Sequence, residues 1–116
     1  MTDVMPDTQQ IAQWLKVLAE PRRLAIVQML MQGTCCNCEI SAQLGLAANL
    51  VSHHTTVLRE AGLVTTERDA EDARWIYVAI NRPALAELHA ALGAFFDPAR
   101  IQERVPQCGP RPPRSR

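Results

Sequence analysis

The sequence contains no apolar run that approaches the ~20 residues a helix needs to cross a bilayer. Residues 1–7 are acidic and lack the apolar segment of a secretory signal. We therefore expect a cytoplasmic protein without membrane contact, in a compartment where thiols stay reduced. Glycine-rich phosphate-binding loops, dinucleotide-binding fingerprints and paired catalytic carboxylates are also missing. These absences argue against an enzyme and against an organic cofactor.

The formal net charge is zero, because twelve Lys and Arg residues balance twelve Asp and Glu residues. A neutral chain argues at first against nucleic-acid binding, whose affinity comes largely from phosphate neutralisation. The distribution of charge is more informative than its sum. Lys16 is the only lysine, so the other eleven basic residues are arginine, which binds phosphate through two parallel hydrogen bonds. Five of these arginines lie in residues 97–116, so the end of the chain is basic.

Hydrophobic periodicity predicts five helices and one β-hairpin in a single domain. Along the chain we expect helices from Thr8, from 21 to about 32, from 34–35, from 50 to about 61 and from 81–83, with strands at 63–68 and 73–80 before the last helix. Thr8 and Asn49 have side chains suited to capping the first and fourth helices. The expected boundaries are a disordered lead at 1–7, a folded domain at 8–96 and a mobile tail rich in proline and arginine at 97–116.

The order of these elements is that of a winged helix-turn-helix, a mainly α fold with a β-hairpin wing (α+β). In this fold one helix, here the fourth, enters the major groove of double-stranded DNA. Small polar, imidazole and guanidinium groups suit base edges and phosphates. The residues that we expect to contact DNA are Asn49, Ser52, His53, Thr56 and Arg59 on the fourth helix, and Arg68 and Arg74 on the hairpin. His53 and His54 are adjacent and face different ways, so one of them packs inward.

The apolar faces of the first and fifth helices have no other obvious cover in the predicted arrangement. A single module with few charges binds DNA weakly, and a symmetric dimer doubles its contacts. We therefore expect a homodimer whose interface is formed by these two helices.

Three of the four cysteines, Cys35, Cys36 and Cys38, lie within four residues, and Cys108 lies in the tail. In a reducing compartment this spacing indicates metal or redox chemistry rather than a disulfide framework. Thiolates select soft ligands. Zinc prefers four ligands in a tetrahedron, whereas trivalent arsenic and antimony bind three thiolates in a pyramid. We therefore expect these cysteines to supply a site for As(III) or Sb(III).

Three segments, at 18–26, 51–54 and 58–64, resemble the ArsR/SmtB family of bacterial metal-responsive repressors. The resemblance spans about residues 10–95 and implies a homodimer that binds operator DNA when ligand-free and leaves it when a metal or metalloid binds. In the arsenic-responsive branch, a Cys-x-Cys pattern is followed three residues later by another cysteine. Cys36 and Cys38 match this pattern, but Ser41 occupies the third place. Thr55 also departs from the family, which usually has a leucine at this point of the recognition helix.

The third thiolate is therefore a choice between Cys35, which is local and preferred, and Cys108, which the tail can bring to the site. A regular helix places Cys35 and Cys38 about 60° apart around its axis, and Cys36 and Cys38 about 160° apart. The three sulfur atoms then converge only if the first turn of the third helix is distorted or unwinds. Because this helix supports the recognition helix, such a distortion would release the DNA.

The same cysteines are compatible with other regulators of this fold. Cys36 or Cys38 can form a disulfide or polysulfide bridge with Cys108 on oxidation, and Cd(II) or Pb(II) also accept sulfur-rich sites. A redox enzyme that uses Cys35 and Cys38 is disfavoured, because the βαβ context of such enzymes is absent. A protein that serves only as a dimerisation or scaffold module is also disfavoured, because that function would not explain the family-like segment 51–54. We expect a repressor that releases its operator when As(III) or Sb(III) binds.

Overall fold

The computed structural model describes residues 7–110, and this range contains five α-helices, three β-strands and one 3₁₀ turn. The elements are α1 (Thr8–Leu18), α2 (Pro21–Leu30), β1 (Cys35–Cys36), α3 (Asn37–Leu44), α4 (Ala48–Glu60), β2 (Val64–Arg68), β3 (Ile76–Ile80), α5 (Arg82–Phe95) and the 3₁₀ turn Pro98–Arg100. The five helices and the hairpin follow the predicted order. None of the helices in 7–110 is long and apolar enough to cross a membrane. Most of the predicted lead (1–6) and the end of the predicted tail (111–116) lie outside the described residues.

Helix α1 is capped by Asp7, whose side chain accepts a 3.0 Å hydrogen bond from the backbone N–H of Gln9. Thr8 is the first helical residue, so the prediction that Thr8 caps this helix is wrong. The buried residues of α1 are Ile11, Trp14 and Val17. Leu15, four residues after Ile11, is 41% exposed. The inner face of α1 is therefore covered within the chain, and Leu15 lies outside it.

Helices α3 and α4 form the helix-turn-helix. Gly45 ends α3 with a φ of 64°, a left-handed conformation that glycine adopts without strain. The hydroxyl of Ser41 donates a hydrogen bond to the carbonyl of Leu46, which closes the turn. Helix α4 begins at Ala48 after Ala47, whose side chain makes no capping bond. The prediction that Asn49 caps α4 is therefore wrong, because Asn49 lies inside the first turn of the helix.

The sheet has three strands in the order β1-β3-β2, all antiparallel. Strands β2 and β3 form the predicted hairpin, with Val64 opposite Ile80 and Arg68 opposite Ile76. Strand β1 pairs with the other edge of β3 and places Cys36 opposite Tyr77. This segment was predicted to begin the third helix, and that prediction is wrong for Cys35 and Cys36, which pair with β3 instead. We call β2, β3 and the loop 69–75 the wing.

The core joins the helix-turn-helix to the sheet. Its largest fully buried side chains are Ile26, Val51, Leu58, Ile40 and Val78. They come from α2, α3, α4 and β3, so these elements share one apolar centre. Helix α5 begins where predicted; Asn81 is its N-cap, and the Asn81 amide also donates a 2.9 Å hydrogen bond to the carbonyl of Gly62. From 101 to 110 the chain forms no helix or strand.

Candidate functional site

The outward side of α4 carries the residues that were predicted to contact DNA. Val51 and Leu58 are buried on the inner side, where α4 packs against α2 and α3. On the outer side Thr56 is half-buried, and the exposed residues are Asn49, Ser52, His53 and Arg59. The helix thus presents small polar and basic groups along one side, as contacts to base edges and phosphates require.

His54 lies on the inner side of α4 and is only 4% exposed, so it is the histidine that packs inward. Its Nδ1 lies 3.4 Å from Nη1 of Arg23, whose Nε donates a 2.6 Å hydrogen bond to the carbonyl of Val17. A guanidinium group can only donate, so Nδ1 accepts and the imidazole proton resides on Nε2. Burial, followed by the positive charge of Arg23, lowers the pKa of His54. A neutral imidazole therefore connects α4 to α1 and α2.

Thr55, where the resemblance leads one to expect a leucine, is buried. Its hydroxyl donates a 3.1 Å hydrogen bond to the carbonyl of Ser52 in the preceding turn. The polar atom is satisfied inside the helix, which explains how a hydroxyl is accommodated at this buried position.

The two arginines predicted to contact DNA from the wing are both held by their own loop. Nη1 of Arg68 donates a 2.7 Å hydrogen bond to the carbonyl of Ala73. Arg74 forms a two-point ion pair with Asp72, with distances of 2.8 Å from Nη2 to Oδ2 and 3.0 Å from Nε to Oδ1. These hydrogen bonds lower the pKa of Asp72 and raise that of Arg74. The side chain of Arg74 is 87% exposed, so its charge is available to a partner.

Cys36 and Cys38, which we call the cysteine pair, have their sulfur atoms 2.9 Å apart, and both are free thiols. Cys36 belongs to β1, with extended backbone angles (φ −82°, ψ 158°), whereas Cys38 lies in the first turn of α3. The chain changes from strand to helix between them, and this change brings the two side chains together. The expectation that a regular helix would hold these sulfur atoms apart is wrong, since Cys36 is not helical.

Cys36 is also the N-cap of α3. Its sulfur accepts a 3.4 Å hydrogen bond from the backbone N–H of Glu39, and the Glu39 carboxylate accepts a 2.9 Å bond from the backbone N–H of Cys36. This reciprocal arrangement is a capping box with a cysteine in place of serine or threonine. Burial and the hydrogen bond with Cys38 raise the pKa of the Cys36 thiol, while hydrogen bonding to Cys36, chiefly from its backbone N–H, lowers the pKa of Glu39.

Cys35 does not join the pair. Successive side chains of a strand point to opposite faces, and the Cys35 sulfur lies 3.6 Å from the carbonyl of Gly33, to which it donates. Cys35 lines a different groove, of about 540 Å³, between α2 and α3. Burial, followed by the charge of Glu39, raises the pKa of its thiol. Cys108 is exposed in the tail. Within residues 7–110, no three His, Cys, Asp or Glu side chains are grouped closely enough to hold a metal ion.

Asn37, the residue between the paired cysteines, was not singled out from the sequence. Its Oδ1 accepts a 3.3 Å hydrogen bond from the backbone N–H of Ile76, and its Nδ2 donates a 3.4 Å bond to the carbonyl of Arg74. Asn37 therefore joins the first turn of α3 to the wing on both sides of Trp75. The sequence did offer one signal for this role. A side-chain amide can donate and accept hydrogen bonds at once, and here it lies directly between two cysteines.

A shallow pocket of about 300 Å³ opens where the cysteine pair meets the wing. Its lining residues are Asn37, Cys38, Arg74 and Trp75. Trp75 is 44% exposed there, although indole rings are usually more buried. The exposed thiol of Cys38 can thus be reached from the side of the wing.

Residues 20–66, from the N-cap of α2 into β2, match the model of a family described as bacterial regulatory protein, arsR family. A biofilm growth-associated repressor of Agrobacterium fabrum is 37% identical over 87 residues, which cover 75% of this chain and 72% of that protein. The chain belongs to the arsR family of bacterial regulatory proteins. It is therefore a DNA-binding transcriptional repressor of the arsR type.

Two further proteins that resemble this chain are named for other responses. A solved structure of a possible transcriptional regulator for arsenical resistance is 35% identical, with a TM-score of 0.62, and the match covers 71% of this chain and 82% of that one. A probable mercury resistance operon repressor of Streptomyces lividans is 30% identical over 83 residues, which cover 72% of this chain and 62% of that protein. These relatives are transcriptional regulators, so the predictions of a winged helix fold and of a protein that is not an enzyme are confirmed.

The three relatives are named for different responses, namely biofilm growth, arsenical resistance and mercury resistance. Membership of the arsR family therefore does not specify the inducer. The inducer has to be argued from the cysteines of this chain.

Proposed function

We propose that this repressor leaves its operator DNA when As(III) or Sb(III) binds the cysteine pair and a third thiolate. The observation that carries the proposal is the 2.9 Å contact between two free sulfur atoms at the start of α3. Sulfur atoms already in contact can bind one soft atom with little rearrangement of the backbone. Helix α3 packs against α4, so a ligand at this place lies beside the helix that carries the candidate DNA contacts.

Cys108 is the third thiolate in this proposal. Cys35 was preferred on sequence grounds, but its sulfur bonds to the carbonyl of Gly33 and lines another groove. Thirteen residues lead from Phe95, the end of α5, to Cys108. A fully extended chain of this length spans about 45 Å, so Cys108 is not confined to the neighbourhood of α5.

Binding is an exchange of hydroxide for thiolate at the metalloid. Arsenous acid, As(OH)₃, reacts with three thiols to give As(SR)₃ and three water molecules, and arsenic stays trivalent. Thiolate is the attacking species. The raised pKa of the Cys36 thiol keeps this group largely protonated at neutral pH, so the proton leaves with the departing water.

The DNA-bound form in this proposal is a homodimer that inserts α4 of each subunit into the major groove. Arg68 and Arg74 of the wing contact the flanking backbone. Helices α1 and α5 pack together in each subunit and carry exposed apolar side chains, Leu15 on α1 and Phe95 on α5, with Phe96 just after it. Burying these side chains between two subunits supports a dimer formed by α1 and α5.

The test is release from a DNA duplex that the protein itself has selected from a random-sequence pool. As(III), Sb(III), Cd(II), Pb(II) and Zn(II) are titrated against the complex, for the unmodified protein and for each Cys→Ser variant. We expect As(III) and Sb(III) to weaken binding tenfold or more, which corresponds to ~1.4 kcal/mol of coupling. Cys36→Ser and Cys38→Ser should abolish the response, Cys108→Ser should weaken it, and Cys35→Ser should leave it intact. Unchanged DNA affinity at saturating As(III) would contradict the proposal.

A second candidate is a repressor of the same fold that responds to oxidation, and the same sulfur contact favours it. Hydrogen peroxide can oxidise the pair to a disulfide, in which two thiol hydrogens and two electrons pass to the peroxide and give two waters. The alternative drawn from the sequence was a bridge from Cys36 or Cys38 to Cys108, whereas the contact between the sulfur atoms favours a bridge within the pair. Peroxide-driven release that dithiothreitol reverses, and that survives Cys108→Ser, would support this candidate over the metalloid.

A further inference from the structure

Two sets of bonds join the cysteine pair to the wing. Strand β1 pairs with β3, with Cys36 opposite Tyr77. One residue later, the amide of Asn37 bonds to the backbone on both sides of Trp75, with Ile76 as donor and Arg74 as acceptor. Both sulfur atoms of the pair therefore belong to residues directly next to Asn37, and Asn37 is bonded to the residue that carries the Arg74 guanidinium.

The structure of the pair leaves little reason for α3 to unwind when a ligand binds. The two sulfur atoms are already in contact, and the capping box between Cys36 and Glu39 holds the first turn in place. A negative thiolate at the start of a helix is moreover stabilised by the helix dipole. If the sulfur atoms move around a ligand, the displacement is therefore more easily transmitted to the wing than along α3. It reaches β3, which pairs with Cys36, and the loop that is hydrogen-bonded to Asn37.

We infer that Asn37 is a positioning residue that transmits ligand binding at the cysteine pair to the wing, and so to Arg74. For its natural ligand this inference rests on the proposed function. A ligand that spreads or rotates Cys36 and Cys38 shifts the Asn37 amide between them. The shift changes the backbone at Arg74 and Ile76, and the wing loses its fit to the DNA backbone. The wing is thus an output of the cysteine site, in addition to α4.

The first test compares Asn37→Ala with Tyr77→Phe. Tyr77→Phe removes a 3.2 Å hydrogen bond from the hydroxyl to Oδ1 of Asp69 within the wing, but leaves the bonds between α3 and the wing intact. The measured quantity is the ratio of DNA affinities without and with saturating As(III). We expect Asn37→Ala to reduce this ratio by about threefold to tenfold, as the loss of two hydrogen bonds allows, and Tyr77→Phe to keep it. As(III) binding, followed through loss of free thiols, should be unchanged in both variants.

An equal ratio in Asn37→Ala and the unmodified protein would overturn the inference. So would an equal fall in Asn37→Ala and Tyr77→Phe, because a general weakening of the wing would then explain it. Absence of As(III) binding to the unmodified protein would instead contradict the proposed function, and the second test does not depend on it.

The second test replaces the metalloid with N-ethylmaleimide, which forms a thioether with the exposed thiol of Cys38. The protein carries Cys35→Ser and Cys108→Ser so that the label is confined to the pair, where Cys36 is buried. We expect the label to lower DNA affinity and to change the fluorescence of Trp75, and both effects should shrink when Asn37→Ala is added. Trp75→Phe identifies the signal that comes from Trp75 rather than from the buried Trp14. Equal effects with and without Asn37 would contradict the coupling, whatever the natural ligand is.

Discussion

Arg23 and His54 connect the scaffold to the recognition helix, with Nη1 of the arginine 3.4 Å from Nδ1 of the histidine. The same guanidinium bonds to the carbonyl of Val17 near the end of α1. A buried imidazole can accept such a bond only while it is neutral. The packing of α4 against α1 and α2 therefore depends on the protonation state of His54.

We predict that the protein loses stability as the pH falls through the range just below 7. The folded state lowers the pKa of His54, through burial and then through Arg23, whereas the unfolded chain keeps the ordinary value of 6.5. Below that value the unfolded chain takes up the proton more readily, so the free energy of unfolding decreases. The charge of Glu20 opposes the shift, while His53 and Arg22 add to it.

Urea unfolding between pH 5.5 and 7.5 measures this effect. His54→Gln should flatten the pH dependence in this window, since glutamine can accept the bond from Arg23 but does not titrate. The exposed neighbour offers a matched control, because His53→Gln makes the same substitution but leaves the buried contact between His54 and Arg23 in place, so most of the slope should remain. Parallel slopes in all three proteins would show that His54 is not the titrating group.

We predict that the ion pair on the wing limits DNA affinity. Arg74 donates to both carboxylate oxygens of Asp72, so a phosphate must compete with that carboxylate. Asp72→Asn should raise DNA affinity, and Arg74→Ala should lower it and reduce the slope of log affinity against log salt by about 1. Fluorescence anisotropy over a salt series measures both. Glu71→Gln removes the same charge from the same loop without freeing Arg74, so a gain as large as that of Asp72→Asn would mean that only net charge matters.

We predict that Cys36 reacts with N-ethylmaleimide more slowly than Cys108 at pH 7 and that the rate at Cys36 rises steeply with pH. Burial and the hydrogen bond with Cys38 raise the pKa of Cys36, and the thiolate fraction of such a group grows about tenfold per pH unit. Cys108 is exposed. Peptide mass spectrometry after timed quenching gives the rate at each cysteine. Comparable rates for Cys36 and Cys108 at pH 7 would argue against a protonated, buried Cys36.

We predict that Phe96→Asp dissociates the proposed homodimer. Phe96 stands against Phe95 at the end of α5, with ring centroids 4.9 Å apart, and is 61% exposed in the single chain. A charge there cannot be buried between subunits without a partner, so the dissociation constant should rise tenfold or more. Met31 is also 61% exposed but lies beyond the end of α2. Sedimentation equilibrium should therefore show Met31→Asp to be as dimeric as the unmodified protein, and equal dissociation of both variants would place the interface elsewhere.

The order of the elements could be predicted because its signals are local. Asn81 caps α5 through its own side chain, and the apolar residues of α4 recur at helical spacing around Val51 and Leu58. The capping preference was less dependable for α4, where Asn49 has a suitable side chain but the helix begins at Ala48. A capping preference therefore places the start of a helix only to within one or two residues.

The contact between the paired cysteines could not be predicted, because it depends on a partner far along the chain. Cys35 and Cys36 are extended only because β3 lies beside them, opposite Val78 and Tyr77. Nothing in the local pattern indicates a two-residue strand. Without that strand, helical spacing would separate the two sulfur atoms and would give Asn37 no role. The cysteine pair and its link to the wing are therefore visible only in the folded structure.

Strand β1 is two residues long, whereas β2 is five residues long. The edge that holds Cys36 is therefore the part of the sheet that opens most easily to solvent. A ligand that bridges Cys36 on the strand and Cys38 on the helix binds only the closed form, and mass action then shifts the protein toward that form. In the proposed mechanism, inducer binding would thus slow the hydrogen exchange of this edge, and the signal to the DNA would include a change in the frequency of local opening as well as a change in shape.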